Sequence, residues 1–259
     1  QPFTAARGRN AGWAALLKAR PDLKHVQFVD GDCEVVSGWL EVAEQFLNAH
    51  PQHAVACGRR RERFPDRSVY NRLCDMEWDT PVGDAKACGG DALMRVAALL
   101  AAQGYREDLI AGEEPELCVR LRQLGWRIHR LDHEMTLHDA AITRFAQWWR
   151  RTVRGGHAFA EGAWLHGAAP ERHWVAETRR ALLWGLCLPL ATLALMLWHP
   201  AAVLMLLAYP LQWVRLSRQP GGTVRAFFLV LGKFAEAWGA LQFYKNLALR
   251  RKRALIEYK

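Results

Sequence analysis

Two kinds of apolar periodicity alternate along the first half of the chain, and together they predict an α/β domain. Apolar residues spaced three or four apart indicate amphipathic helices, whereas short runs of β-branched and aromatic residues indicate strands. The helices are predicted over 13–19, 38–50, 92–103 and 112–124, the first of them preceded by a turn over 5–12. The strands are predicted over 25–29, 54–58 and 126–131.

The second half of the chain has a different pattern. From Phe145 to residue 180 tryptophans and arginines are interleaved, as in the aromatic and basic belt of a membrane interface. Two apolar runs follow, over 181–198 and 201–214, and each is close to the shortest length that spans a bilayer. We therefore expect a helical membrane hairpin, in preference to one irregular buried helix.

Basic residues indicate how this half is oriented. Arginines precede the hairpin at 179 and 180 and follow it at 215 and 218, which predicts that both ends lie in the cytoplasm. The segment 224–249 ends in a basic cluster that a third span would carry outside, so we favour an amphipathic or re-entrant helix on the cytoplasmic face. The predicted divisions are 1–140, 141–180 and 181–259.

The composition supports a lipid-facing protein with an anionic partner. Hydrophobic residues make up 51% of the chain, and it contains 12 tryptophans. The net charge of +9 suits nucleic acid, anionic lipid or a nucleoside diphosphate, but many basic residues cluster around the apolar hairpin, which argues against nucleic acid. Six cysteines without a CxxC pair indicate a reducing compartment and no structural zinc.

Candidate chemistry begins directly after the strand over 25–29. Asp30 and Asp32 flank Gly31 where this strand ends, and in an open α/β sheet that edge binds ligands. Two carboxylates around a sharp turn can hold one Mg²⁺ or Mn²⁺, although an ordinary Asp-Gly turn has the same sequence. His138 can supply a third metal ligand, since neutral imidazole binds divalent ions.

Three further segments contain candidate binding groups. Arg7 and Arg9 lie in the first predicted turn, where they can donate charge-assisted hydrogen bonds to phosphate. Gly89 and Gly90, followed by Asp91, precede a predicted helix and allow a sugar or phosphate to approach its amino end. Five arginines over 59–67 predict a basic loop, which is either solvated surface or a grip for an anionic acceptor or lipid.

An acidic pair opens the helix after residue 112. If Pro115 takes the first helical position, Glu114 caps the helix, where an acid is electrostatically stabilised. A general base gains from the opposite effect, a raised pKa, so burial or the neighbouring Glu113 would have to offset the helix dipole.

The order of these motifs resembles the family 2 inverting glycosyltransferases of the GT-A fold, a Rossmann-like domain, in particular bacterial membrane-attached members. The resemblance extends from Ala5 to about Arg154 and implies a nucleotide-sugar donor and a lipid-linked or glycan acceptor. It implies donor binding by Arg7, Asn10, Asp30 and Asp32, with metal on the two aspartates and His138. It implies acceptor binding by Gly89, Gly90, Asp91, Gln147, Trp148 and Arg150.

The same resemblance makes the acidic pair catalytic. Glu114 stands where the family has the Asp of a Glu-Asp pair, and the extra methylene leaves the base unassigned between Glu113 and Glu114. The family's first strand and nucleotide-binding acid are missing before Gln1, so we expect an amino-terminally truncated, partial domain. The resemblance implies a location at the bacterial inner membrane, with the catalytic domain cytoplasmic. Alternatives are a polyprenyl-phosphate sugar transferase and a non-catalytic basic membrane-surface scaffold.

Overall fold

The computed structural model describes residues 4–250, which form two compact units. Within the described residues, the first unit comprises 4–143 and the second 144–250. The first combines a mixed sheet with five helices, and the second is helical in its described part. The prediction of three divisions, with a boundary at 180, stays a prediction.

The first unit alternates helices and strands. Its helices are α1 (Ala5–Ala19), α2 (Trp39–Ala49), α3 (Val69–Trp78), α4 (Val96–Ala101) and α5 (Glu113–Gln123). Its strands are β1 (His25–Phe28), β2 (Cys33–Val35), β3 (His53–Glu62), β4 (Gly83–Asp84), β5 (Ala92–Arg95) and β6 (Arg127–His138). A short 3₁₀ turn, Pro65–Arg67, precedes α3.

The sheet has the strand order β1-β5-β3-β6-β2, with β4 added to β6. Strands β3 and β6 run parallel, whereas β5 runs antiparallel to both β1 and β3. The carboxyl ends of β1, β3 and β6 therefore lie at one edge, where the loops after these strands meet. Trp39 of α2 is fully buried against the sheet, and its indole N–H donates to Gln27 Oε1 at 2.9 Å.

Four predictions about elements require correction. The segment 92–103 is not one helix, because Ala92–Arg95 forms β5 between β1 and β3 before α4 begins. The turn over 5–12 belongs to α1, which starts at Ala5 because the Thr4 hydroxyl accepts a hydrogen bond from the Arg7 N–H. The basic loop over 59–67 is strand up to Glu62, and the last predicted strand continues to His138.

The second unit is built on two long helices. Its helices are α6 (Phe145–His166), α7 (Val175–Leu182), α8 (Leu188–Met196), α9 (Ala208–Ser217) and α10 (Gly222–Ala248). Helices α6 and α10 pack closely because a Cβ added at Gly156 would lie 2.1 Å from Glu236 O, and one at Gly239 would lie 2.0 Å from Val153 O. Only glycine permits this approach.

Within the described residues, the 22 residues Val175–Met196 form the one helical stretch long and apolar enough to cross a membrane. It includes a π-helical turn, Leu183–Cys187, between α7 and α8. The apolar run over 201–214 is a 3₁₀ helix, Pro200–Leu207, continued by α9. The membrane hairpin and the interfacial position of α10 therefore remain predictions.

Candidate active site

The predicted metal ligands and Glu113, the first residue of the acidic pair, meet at the edge of the sheet described above. Asp30 and Asp32 follow β1, and His138 is the last residue of β6. The backbone N–H of Asp139 donates to Asp32 O at 3.1 Å, which holds the end of β6 against the turn after β1. Glu113 begins α5, and its carboxylate joins this group through Arg9.

Asp32 and His138 form the pair best suited to a divalent cation. His138 Nε2 lies 3.1 Å from Asp32 Oδ1, and the Cys33 thiol completes a group of ligand atoms all within 4.8 Å of one another. Burial and the charge of Asp91 raise the pKa of the Cys33 thiol, so the thiol stays protonated and ligates weakly. One carboxylate and one imidazole fit Mn²⁺ or a similar ion with open positions for substrate oxygens.

Asp30 has a different environment from Asp32. Its Oδ1 accepts from Arg9 Nη2 at 2.5 Å, and its Oδ2 lies 3.4 Å from Arg60 Nη2. Its backbone N–H donates to Asp91 Oδ1 at 2.9 Å. The Asp30 carboxylate is therefore in contact with two guanidinium groups. Its predicted role as a metal ligand stays a prediction.

Asp91 accepts a hydrogen bond from the Asp30 backbone and is completely buried. Its Oδ2 accepts from Thr136 Oγ1 at 2.8 Å and lies 3.0 Å from Arg60 Nη2. Burial acts to lower the pKa of the Arg60 guanidinium, but Asp91 and Asp30 outweigh this and raise it. The buried side chain of Asp91 anchors Arg60, and its predicted contact with the acceptor stays a prediction.

Arg9 links the metal side of the site to the acidic pair. Its Nη1 donates to Glu113 Oε1 at 2.6 Å while its Nη2 contacts Asp30, and its guanidinium lies over the ring of Tyr105. Burial opposes its charge, but Asp30, Tyr105 and Glu113 raise its pKa above the ordinary value. Arg9 is therefore a fixed cation between two carboxylates.

Glu114 points away from this group into the protein interior. Its carboxylate accepts from the backbone N–H groups of Cys88 and Gly89 at 2.7 and 3.1 Å and lies 2.9 Å from both the Cys88 and Cys118 thiols. Burial, together with the nearby Glu114 charge, raises the pKa of Cys88 to about 11. Glu114 thus fixes the turn before β5.

The start of α5 also differs from the prediction. Gly112 is the N-cap in a left-handed conformation, so Glu113 takes the first helical position and Glu114 the second. Pro115 is the third helical residue and not the first. This one-position shift separates the acidic pair, since Glu113 contacts Arg9 while Glu114 contacts the turn at Cys88.

The turn at Gly89 and Gly90 requires glycine for two reasons. Both residues have positive φ, +84° and +101°, which side chains rarely adopt. A Cβ at Gly90 would also lie 2.8 Å from Arg60 Nη2 and 3.3 Å from Asp30 Oδ2. Gly90 therefore brings the backbone directly against the side chains of Arg60 and Asp30, as expected for a ligand-facing turn. Acceptor binding by Gly89 and Gly90 stays a prediction.

The other predicted binding residues have contacts within the protein. The Asn10 amide donates to Tyr105 O at 2.8 Å and accepts from the Tyr105 N–H at 2.8 Å, which fastens α1 to the loop before α5. Arg7 Nε lies 3.6 Å from Glu107 Oε2. Gln147, Trp148 and Arg150 belong to α6 in the second unit. Their predicted roles in donor and acceptor binding remain predictions.

Two residues of the site were not singled out by sequence reasoning. Arg60 was one of five arginines in a supposed loop, and its position on β3 brings it to Asp30 and Asp91. Trp78 stacks against Arg60 at 5.5 Å and meets the His138 ring edge-on at 4.6 Å. The only feature of the sequence that pointed to Arg60 was its position two residues after the strand predicted over 54–58.

No protein-family model matches the chain, and no curated protein matches its sequence. Among solved structures, it resembles the mannosyltransferase PcManGT from Pyrobaculum calidifontis, solved with GDP-Man and Mn²⁺. The identity is 18%, the TM-score is 0.56, and the match covers 89% of this chain but 66% of the other, just under two thirds. TarS from S. aureus matches with 14% identity over 65% of this chain and 34% of that one, at a TM-score of 0.39.

At this identity, the likeness to the mannosyltransferase shows the fold. The chain has a mixed α/β fold similar to that of this mannosyltransferase. The predicted α/β fold is therefore confirmed, whereas the predicted membrane hairpin and amphipathic helices stay predictions.

Proposed function

We propose that this protein is a metal-dependent, inverting glycosyltransferase of the family 2 type. It would move a sugar from a nucleotide-diphosphate donor to a hydroxyl acceptor of a polysaccharide or glycolipid. The observation that carries the proposal is the convergence of Asp32 and His138, Arg9 and Arg60, and Glu113 at one edge of a glycosyltransferase-like sheet. Two cations, a metal-ligand pair and a carboxylate that can accept a proton are the groups this reaction needs.

Asp32 and His138 would hold a Mg²⁺ or Mn²⁺ ion, with Asp30 as a further predicted ligand. A bound divalent ion supplies charge neutralisation to the departing diphosphate. Arg9 lies beside the same position and can donate two parallel hydrogen bonds to phosphate oxygens, as guanidinium groups commonly do. The mannosyltransferase with the similar fold was solved with Mn²⁺ and GDP-Man, which makes these the first ion and donor to test.

Glu113 is the general base in this proposal. As the acceptor oxygen bonds to the anomeric carbon, its proton passes to the Glu113 carboxylate and the bond from that carbon to the diphosphate oxygen breaks. Attack from the face opposite the leaving group inverts the centre in one displacement.

Glu114 has a positioning role. Its carboxylate is saturated by the Cys88 and Gly89 N–H groups and two thiols, which leaves it poorly placed to accept a substrate proton. Holding this turn keeps Gly90 against Arg60 and Asp30. This choice departs from the family pattern, in which the second acid of the pair is the base.

A membrane location is part of the proposal. The exposed apolar stretch within Val175–Met196 supports membrane attachment, and the flanking arginines support a cytoplasmic catalytic domain at a bacterial inner membrane. Lipid-linked or glycan acceptors are membrane-associated, so the two parts of the chain suit one task.

A polyprenyl-phosphate acceptor is the second candidate. The second unit has an apolar cavity of about 430 Å³ lined by residues including Tyr209, Trp213, Phe227 and Phe234, which suits a lipid chain. A phosphate oxygen is already ionised and needs no base. Transfer to this acceptor would therefore survive Glu113→Gln, whereas transfer to a hydroxyl would not.

The decisive experiment compares Glu113→Gln and Glu114→Gln in the purified membrane protein with Mn²⁺ and a panel of nucleotide-diphosphate sugars. We expect Glu113→Gln to lower kcat by roughly 10²- to 10⁴-fold because it removes the proton acceptor, and to lower the Tm because it also breaks the ion pair with Arg9. Glu114→Gln should lower the Tm, since one N–H of the turn loses its acceptor. Equal activity of Glu113→Gln and wild type on hydroxyl acceptors would contradict the assignment.

Metal dependence separates the enzyme from the scaffold alternative. Chelation should abolish nucleotide-diphosphate binding, Mn²⁺ should restore it, and Asp32→Asn should weaken the restoration. A scaffold would bind no nucleotide under either condition. The anomeric configuration of the product, read by NMR coupling constants, tests inversion.

A further inference from the structure

We propose that His53, Asp84 and His129 form a second cation site, for Zn²⁺ or a similar transition metal, far from the candidate active site. The three residues belong to β3, β4 and β6. One ligand atom from each lies within 4.8 Å of the others. Two imidazoles and one carboxylate are the donor set that zinc takes in open, three-ligand sites.

The buried imidazole of His53 is the strongest evidence. His53 is 5% exposed, yet neither of its ring nitrogens has a hydrogen-bond partner among the described residues. Its nearest charged group is Asp84, with Nε2 3.8 Å from Oδ1. A buried polar atom without a partner is costly, and a metal ion between the imidazole and the carboxylate would satisfy it.

The surrounding groups hold the ligands in place. Asp84 Oδ1 also lies 3.4 Å from His129 Nδ1, while Arg127 binds the other oxygen, Oδ2. Oδ1 is therefore the oxygen turned toward both imidazoles. The Phe46 ring packs against His53 at 5.0 Å and His129 at 4.8 Å, which fixes the two rings. Asp84 is more than half exposed, so an ion can enter from solvent.

This cluster is independent of the site at Asp32. His53 begins β3, whereas Arg60 lies seven residues further along the same strand, about 23 Å away at the usual rise per residue. Asp84 lies four residues before Cys88, in the segment that leads to the Gly89–Gly90 turn. A metal here would fasten β4 to the main sheet. The cysteine pattern gave no sign of it, because its ligands are histidine and aspartate.

The test is the number of Zn²⁺ ions bound by the intact protein in equilibrium dialysis. We expect wild type to bind one more ion than Asp84→Asn and His129→Gln, and Asp32→Asn to leave this ion in place. Asp22→Asn is the matched control, since Asp22 is an exposed carboxylate paired with Arg20 as Asp84 is with Arg127.

Thermal unfolding provides a second readout. Zn²⁺ should raise the Tm of Asp32→Asn, which retains the proposed site, and should raise it less when Asp84→Asn is added, because an ion that binds only the folded state stabilises it. The metal-free variants should unfold with wild-type Tm, since both altered side chains are at least partly exposed. Identical zinc stoichiometry in wild type, Asp84→Asn and His129→Gln would overturn the proposal.

Discussion

The two units of the chain differ in the side chains that most need a compensating partner. The first buries charged groups, among them Glu62, Asp91, Glu114 and Arg130, each 5% exposed or less. The second exposes large apolar groups, with Leu197 at 83% and Trp198 at 79%. A buried charge loses its hydration and an exposed apolar surface orders water, so each arrangement needs a compensating partner.

The two units differ in what provides this compensation. In the first unit the compensation is internal, since Asp91 is matched by Arg60 and Thr136, and Glu114 by backbone N–H groups. In the second unit the exposed apolar groups gain nothing from the protein itself, which is the pattern expected for a surface that meets lipid. Substituting a buried charged residue of the first unit should therefore lower the free energy of unfolding. Substituting an exposed apolar residue of the second unit should lower the affinity for membranes.

The largest expected effect is that of Arg60→Ala. Removing the guanidinium leaves Asp91 buried without its cation, and breaking a buried ion pair costs about 3–5 kcal/mol. The free energy of unfolding, measured with denaturant in detergent, should fall by this amount. A loss below about 1 kcal/mol would mean that water reaches Asp91 and that the pair is not internal.

Gly90→Ala should have the next largest effect. The residue has φ of +101°, and its added Cβ would meet Arg60 Nη2 at 2.8 Å. A strained backbone of this kind costs about 1–3 kcal/mol. Gly31→Ala is the control, because a Cβ there meets no atom within 4 Å. Denaturant unfolding of the two variants should differ by this amount, and equal stability would remove the case for a tight turn.

Leu197→Ser tests the external surface. A leucine transferred from water into lipid gains about 1.5–3 kcal/mol, so vesicle flotation should show roughly tenfold or greater loss of partitioning, with unchanged unfolding. Leu124→Ser is the matched control in the first unit, where Leu124 is 53% exposed. If both variants float as wild type does, the exposed apolar groups of the second unit do not meet lipid.

The smallest effect is expected for Arg61→Ala, one residue from Arg60. Arg61 pairs with Glu134, and both side chains are more than two-fifths exposed. Exposed ion pairs contribute about 0–1 kcal/mol, so unfolding should change little. Arg60 and Arg61 share a strand and differ in burial, so comparing the two variants isolates the effect of burying the ion pair. A loss matching that of Arg60→Ala would show that the effect comes from strand propensity and not from the buried pair.

Several parts of the candidate site were predictable from sequence. Asp30 and Asp32 follow a strand as expected, and the structure brings His138 to Asp32. Arg60 was not predictable, because its role depends on how far β3 extends beside β6. The segment 92–103 has an apolar pattern that suits a buried strand as well as a helix, and only its place between β1 and β3 decides which.

The sequence by itself determined the local elements and the residue types at their ends, since these follow from periodicity, turn residues and charge. Only the tertiary structure decided which ends meet. Glu113 and Glu114 are adjacent in sequence and similar in chemistry, yet one contacts Arg9 and the other the turn at Cys88. Successive helical residues point about 100° apart, so two neighbouring acids enter different surroundings once the helix is docked.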